Sequence, residues 1–228
     1  MLHADLLLKD ALVYSSAYRC FLSASVAIKD GKVLYVGSDA NALDHICPDA
    51  TQSLDNCWLI PGLIDIHMHI ESSMISPSIF AHTVLRHGTT TCVAEPHEIA
   101  NVFGVEGINE FMRMTPTNEL GSADIFFGIP SSVPSTDLED AGSSVTPDDV
   151  RNLMGNPRVR CLGEVMDCQT VVKDSSSRAA QVVRAALNSR LTPIIEGHVP
   201  GFTGLELARI LYAGIDSDHC EQTPERVR

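Results

Sequence analysis

The sequence predicts an α/β fold in which a small β-rich domain over residues 1–60 precedes a parallel, barrel-like portion over residues 61–228. Three observations predict this. Asp30-Gly31 separates two apolar runs and favours a two-residue hairpin turn, since both of its positions need a positive φ. From Leu59 onward, short apolar segments alternate with helical patterns, as in the βαβ units of a parallel sheet. Histidines and glutamates recur where these predicted strands end.

The first domain is expected to be a small sheet. Apolar runs at residues 6–8 and 11–14 predict its first β-structure, and the runs at residues 25–29 and 32–37 flank the Asp30-Gly31 turn. Alternating and β-branched apolar residues bounded by turn residues are typical of strands. This part of the chain should therefore be β-structure.

The second domain is expected to alternate strands with helices. Strands are predicted at residues 63–66, 89–94, 125–129, 159–165, 193–196 and 214–217. Helices are predicted at residues 78–86, 105–114, 147–154, 177–188 and 205–212. A closed eight-stranded barrel needs roughly 250 residues, more than remain after residue 60. The barrel is therefore expected to be incomplete, with about six of eight βα units.

Composition excludes several classes of function. Lys and Arg number 16 against 29 Asp and Glu, and the formal net charge of −13 would repel a nucleic-acid backbone. The sequence has neither an 18-residue apolar stretch nor a signal-peptide pattern at its start, so a cytoplasmic protein without a membrane partner is expected. Its seven cysteines form no Cys-x-x-Cys pair, which argues against a structural zinc knuckle.

Five residues are candidate metal ligands. His67 and His69 end the first barrel strand, and side chains at i and i+2 of a strand point the same way, so both can bind one metal ion. Glu164, His198 and His219 follow the fourth, fifth and sixth strands, whose carboxyl ends meet at one rim of a barrel. Four histidines and one carboxylate suit one or two divalent metals such as Zn, Mn or Fe. Taken singly, the last three residues could instead be supporting or surface residues.

This order of ligands along the strands resembles the amidohydrolase superfamily. Residues 61–74, with their Glu-Ser-Ser run, and residues 86–101, with their Glu-Pro-His-Glu run, are similar to the bacterial adenine deaminase family. The resemblance covers nearly the whole chain, including the Glu-Gly-His-Val-Pro-Gly segment at residues 196–201. It implies an incomplete metal-dependent (β/α)8, TIM-like barrel of the amidohydrolase type. It also implies that the N-terminal sheet is part of a composite β-sandwich.

The resemblance further implies an activity, the metal-dependent hydrolytic deamination of adenine to hypoxanthine and ammonia in purine salvage. By position, His67 and His69 would hold one metal and His198 and His219 the other, with Glu164 bridging a binuclear Mn or Fe centre, or alternatively Zn. The residues expected to contact adenine or move a proton are Glu95, His97 and Glu98. Their alternative role is to cap the helix that follows them.

One departure from the family pattern concerns the proton-shuttling aspartate that the family carries on strand eight. The sequence ends shortly after His219 and offers no counterpart, so adenine deamination by this chain alone is expected to be at least about a hundredfold slower than by a complete relative. Three readings stay open: a family member with incomplete chemistry, an amidohydrolase acting on another aminopurine or a cyclic amide, and an inactive fragment. The expected partner is a small molecule, and a homo-oligomer is compatible with all three readings.

Overall fold

The computed structural model describes residues 1–117, 119–136, 138–189 and 193–220. The chain divides into two compact units, Met1–Gly62 and Leu63–Arg228. Each unit has its own β-sheet. No helix among the described residues is long and apolar enough to cross a membrane.

The first unit is a five-stranded sheet with the order β3-β2-β1-β4, in which the short strand β5 pairs with β1. Neighbours β1-β2 and β2-β3 are antiparallel, whereas β4 and β5 run parallel to β1. A short helix, α1, spans Ala40–Asp44. The strands are β1 Leu2–Ser15, β2 Cys20–Lys29, β3 Lys32–Gly37, β4 Ile46–Ser53 and β5 Trp58–Leu59.

The predicted hairpin is present. Strands β2 and β3 pair up to Lys29 and Lys32, and the turn residues Asp30 and Gly31 have φ values of 49° and 69°. The two apolar runs predicted at residues 6–8 and 11–14 belong to one continuous strand, β1, whose register shifts between Leu8 and Ala11. The sequence analysis did not identify α1, β4 or β5.

The second unit is built on a six-stranded sheet with the order β11-β10-β9-β8-β7-β6. All neighbouring strands are parallel. The predicted α/β fold with an incomplete parallel barrel is therefore confirmed. The strands are β6 Leu63–Met68, β7 Thr89–Ala94, β8 Asp124–Pro130, β9 Val159–Val165, β10 Ile194–Gly197 and β11 Ser217–Asp218.

Helices connect these strands, and a 3-10 turn at Glu71–Ser73 precedes the first of them. Helix α4 begins at the predicted residue 147, with Pro147 in the first turn and a capping box formed by Thr146 and Asp149. The helices are α2 Pro77–Leu85, α3 His97–Arg113, α4 Pro147–Leu153, α5 Cys168–Lys173, α6 Arg178–Leu187 and α7 Gly204–Tyr212.

Two predicted elements begin at other residues, and one helix was not predicted. Helix α3 begins at His97 rather than at residue 105, because Gly104 with φ 61° divides it into two helical stretches, and only the second was identified. Strand β11 begins at Ser217 rather than at residue 214, because Gly214 has φ 96° and lies in the turn after α7. Helix α5 was not predicted at all.

The parallel sheet is strongly curved. Its edge strands β6 and β11 are five strand spacings apart, which in a flat sheet would separate them by about 24 Å. The rings of His67 on β6 and His219 directly after β11 nevertheless stack with their centroids 3.8 Å apart. The carboxyl ends of all six strands therefore meet around one space, as in a barrel.

Candidate metal centre

The structure brings all five predicted metal ligands together at the carboxyl ends of the strands. His67 lies in β6 and His69 follows its end, while Glu164 lies in β9. His198 and His219 directly follow β10 and β11. The Glu164 side chain is buried, with 7% exposure, and the histidines around it are partly buried.

The first group of ligand atoms consists of His67, His69 and Glu164, one atom from each lying within 4.8 Å of the others. Nε2 of His67 is 3.2 Å from Nε2 of His69, and Nε2 of His69 is 3.6 Å from Oε2 of Glu164. Two neutral imidazole nitrogens that both present lone pairs repel at this distance unless a cation lies between them. The arrangement fits a divalent metal ion.

The second group consists of Glu164, His198 and His219, again with one atom from each within 4.8 Å of the others. Oε1 of Glu164 lies 3.0 Å from Nδ1 of His198 and 3.6 Å from Nε2 of His219. Glu164 thus directs one oxygen to each histidine pair. The two groups therefore share one carboxylate.

The rings in the first pair are anchored by their other nitrogen. Nδ1 of His69 is 2.7 Å from the backbone oxygen of Glu95, and Nδ1 of His67 is 3.0 Å from Oε2 of Glu196. Because these acceptors require a donor, each Nδ1 carries the proton and each Nε2 is left with a lone pair facing the site. Metal-binding histidines are commonly oriented by such contacts.

The backbone at Glu164 is strained and is held by two hydroxyl groups. Its φ of 26° is unfavourable for a residue with a side chain. The carbonyl oxygen of Glu164 accepts hydrogen bonds from Oγ of Ser131 at 3.0 Å and Oγ of Ser132 at 2.9 Å. Oγ of Ser132 also accepts the N–H of Met166 at 3.0 Å. These contacts hold the carboxylate in the direction of both histidine pairs.

Electrostatics keep Glu164 ionised. Burial acts to raise the pKa of this carboxyl, but the surrounding imidazoles, with His97 contributing most, lower the pKa to about 2. The imidazole nitrogens within 4 Å of the Glu164 carboxylate belong to His69, His97, His198 and His219. A buried negative charge with imidazole neighbours is suited to binding a cation.

The three predicted catalytic residues have different environments. Glu95 is buried, and among the described residues neither of its carboxylate oxygens has a hydrogen-bond partner. Burial and then the nearby Glu164 carboxylate raise the pKa of Glu95 well above its usual range. His97 is partly exposed, with Nδ1 3.5 Å from Oε2 of Glu164, and its ring lies edge-on to His69. Glu98 is exposed and accepts a hydrogen bond from Oγ of Ser72 at 2.6 Å.

The described contacts include no side-chain cap of helix α3 by these three residues, although Glu98 lies in its first turn. Helix α3 begins at His97, and its N-cap residue Pro96 has no side-chain cap. The N–H of Glu98 instead donates to Oε1 of Glu71 at 3.2 Å. The capping carboxylate thus comes from the 3-10 turn that follows β6.

The sequence analysis missed Glu196, whose side chain lies between two of the proposed ligands. Its oxygens are 3.0 Å from Nδ1 of His67 and 3.3 Å from Nδ1 of His219. The signal was available, because Glu196 lies two residues before His198 and so points to the same side of the strand. Ser131 and Ser132, which directly follow β8, were also missed.

A family model and several curated relatives match this chain. Residues 58–198 match the model of the amidohydrolase family. The adenine deaminase of Clostridium perfringens (strain 13 / Type A) is 39% identical over 224 residues, which are 97% of this chain and 38% of that protein. Adenine deaminase 2 of Shouchella clausii (strain KSM-K16) is 41% identical over 98% of this chain and 38% of its own length. The chain thus spans less than half the length of these relatives.

Solved structures share the fold. An adenosine deaminase from Xanthomonas campestris with bound zinc superposes with a TM-score of 0.53 at 16% identity, over 94% of this chain and 56% of that one. The ochratoxinase of A. niger gives a TM-score of 0.56 at 15% identity, over 95% of this chain and 60% of that one. The family match, made over most of the chain, confirms the resemblance seen in the sequence: the chain belongs to the amidohydrolase family.

Proposed function

We propose that this chain carries the metal centre of an adenine deaminase, which removes the 6-amino group of adenine by hydrolysis to give hypoxanthine and ammonia. The observation that carries the proposal is the position of Glu164 between two histidine pairs. The identity of 39–41% to proteins named adenine deaminase, over nearly the whole chain, supports the substrate. Because the chain spans 38% of their length, the activity of the complete protein is inferred from them.

The proposed ligands are His67 and His69 for one metal, His198 and His219 for the other, and Glu164 for both. Imidazole and carboxylate donors suit Mn, Fe and Zn, and we propose Mn or Fe as the resident pair. When bound, such metals act as Lewis acids and lower the pKa of coordinated water to near neutrality. The anchored Nδ1 atoms of His67 and His69 would hold their rings in the orientation that binding requires.

The chain's own residues would bind the purine and move protons. His97 and Glu98 are accessible beside the first histidine pair, so we assign them to contact with adenine or proton transfer to the leaving amine. Glu95 is 2% exposed, and burial raises the pKa of its carboxyl group, which favours the protonated form. We propose that the buried Glu95, which lies beside strand β9, supplies a proton to the leaving amine.

Two further assignments follow from the proposed activity. A small-molecule substrate in place of nucleic acid is supported by the net charge of −13, and purine salvage implies a cytoplasmic enzyme. We also propose that the sheet of the first unit is part of a composite β-sandwich in the complete protein.

A chimera tests the proposal without depending on the length of the chain. The matching segment of the Clostridium perfringens adenine deaminase is replaced by this chain, and the product is supplied with Mn²⁺ and assayed for ammonia and hypoxanthine. We expect adenine turnover by the chimera and loss of turnover in its Glu164→Gln variant. A chimera that binds Mn²⁺ but hydrolyses only other aminopurines or cyclic amides would show that the substrate assignment is wrong.

A further inference from the structure

We propose that Glu196 is a positioning residue that orients one histidine of each proposed metal pair and so couples the two metal sites. This inference rests on the proposed metal centre, but it concerns the orientation of the rings and not the substrate. Glu196 belongs to β10 and is buried, with 7% of its side chain exposed.

The contacts of Glu196 join strands from opposite edges of the sheet. Its Oε2 lies 3.0 Å from Nδ1 of His67, and its Oε1 lies 3.3 Å from Nδ1 of His219. The two rings stack with an interplanar angle of 7°. A single carboxylate therefore faces the same nitrogen atom of two parallel rings, one from each proposed metal pair.

Hydrogen-bond chemistry gives this arrangement a consequence. An ionised carboxylate only accepts hydrogen bonds, so the Nδ1 of His67 that bonds to it carries the proton. The Nδ1 of His219 lies 3.3 Å from the same carboxylate without the alignment of a hydrogen bond, and there the negative charge favours an N–H group over a lone pair. A neutral imidazole protonated on Nδ1 presents a lone pair on Nε2. These Nε2 atoms face the site, that of His67 at 3.2 Å from Nε2 of His69 and that of His219 at 3.6 Å from Oε1 of Glu164. Glu196 thus favours the metal-binding tautomer of both rings.

A glutamine at this position cannot satisfy both rings. Its amide offers an acceptor oxygen on one side and a donor NH₂ on the other. It can accept the proton of one Nδ1, but the other Nδ1 has to become an acceptor, which moves that ring's proton to Nε2. A ring protonated on Nε2 has no lone pair directed at the metal. Glutamine has nearly the same size as glutamate. Glu196→Gln should therefore leave one of the two histidines without a lone pair for the metal while changing the packing little.

The experiment measures Mn²⁺ binding to the full chain by calorimetry, together with histidine ¹⁵N NMR spectra of the metal-free chain. His67→Asn and His219→Asn variants assign the two ring signals. We expect both rings to be protonated on Nδ1 in the parent, and one of them to change tautomer in Glu196→Gln. Removing such a supporting residue should weaken Mn²⁺ binding about 10–100-fold. Glu110→Gln is the matched control, since Glu110 is exposed and pairs with Arg113.

The readouts separate a positioning role from a purely structural one. A variant that keeps the parent's thermal unfolding but changes tautomer and loses Mn²⁺ affinity supports positioning. Unchanged tautomers with unchanged affinity in Glu196→Gln overturn the inference, as does a parent chain that binds no Mn²⁺. If Mn²⁺ binding depends on Glu196 while the chimera fails to deaminate adenine, the substrate proposal is wrong and the positioning role stands.

Discussion

The two units of this protein each contain a cluster of histidine and carboxylate side chains, and the clusters differ in what surrounds them. In the first unit, the exposed cluster of His3, Asp5 and Asp49 has one ligand-type atom from each residue within 4.8 Å of the others. In the second unit, the groups around Glu164 meet the same distance criterion. Proximity alone therefore does not distinguish them.

The difference lies in the cation already present. In the exposed cluster, the ammonium group of Lys29 lies 2.7 Å from Oδ1 of Asp5 and 3.2 Å from Nδ1 of His3, so a fixed positive charge already pairs with the cluster. In the buried cluster, the charge contacts found for Glu164 among the described residues are all with histidines, whose neutral rings can donate a lone pair to a metal ion. Burial, and a carboxylate paired within the described part of the chain with imidazoles in place of an ammonium group, distinguish the candidate metal centre from the surface ion-pair cluster.

Of the variants considered, Glu164→Gln should have the largest effect on Mn²⁺ affinity. A small effect would contradict the distinction between the buried and the exposed cluster. The change removes the charge shared by both histidine pairs. We expect Mn²⁺ affinity to fall by more than the roughly 10–100-fold that loss of a supporting residue causes. Calorimetric titration measures this, with Asp49→Asn in the exposed cluster as the control. A similar loss of affinity in Asp49→Asn would indicate that Mn²⁺ binds to the cluster in the first unit.

Gly163→Ala tests how tightly the buried cluster is packed. A Cβ at residue 163 would lie 2.6 Å from Cδ and Oε2 of the buried Glu95. Such overpacking typically costs about 1–3 kcal/mol in the free energy of unfolding. Urea unfolding measures the cost, and the double variant Gly163→Ala with Glu95→Ala should recover part of it. An additive double variant would indicate that the two side chains do not compete for space.

Ser132→Ala should have a smaller effect on the same cluster. It removes one of the two hydroxyls that bond to the carbonyl oxygen of Glu164, where φ is 26°. A lost hydrogen bond of this kind costs about 0.5–1.5 kcal/mol of stability. We expect a modest decrease in thermal stability together with weaker Mn²⁺ binding. A variant that loses stability but binds Mn²⁺ like the parent would show that the hydrogen bond to the strained backbone of Glu164 does not contribute to metal binding.

Asp5→Asn should have the smallest effect, and its pH dependence identifies the exposed cluster as an ion pair. The hydrogen bond from Lys29 is the largest cause that lowers the pKa of Asp5 below its ordinary value of 3.8. A carboxyl with a lowered folded pKa contributes stability above its unfolded pKa and loses it as the pH falls through the folded pKa. The parent should therefore be slightly more stable than the variant at neutral pH, and the difference should vanish in acid. Calorimetric melting of parent and variant at neutral and at acidic pH measures this difference in stability. A difference that grows in acid would contradict the ion-pair interpretation.

Local pattern was sufficient for much of the fold. Strands β7 and β9 match the predicted residues 89–94 and 159–165 at both ends, because their apolar runs are bounded by polar or turn residues. The pattern failed where one positive φ angle determines the boundary of an element, as at Gly104 inside α3 and Gly214 before β11. Whether a glycine adopts a positive φ depends on its neighbours in space, which the sequence does not display.

The sequence by itself determined the alternation of strands and helices after residue 60 and the placement of His67, His69, Glu164, His198 and His219 at strand ends, because strand alternation and the two-residue period are local properties. Only the tertiary structure decided that Glu196 contacts His67 across 129 positions of sequence, that Glu71 caps α3, and that Glu95 is buried without a hydrogen-bond partner in the described part of the chain. These features depend on the curvature that brings β6 and β11 together. The curvature arises from packing across the whole sheet, which no local sequence pattern encodes.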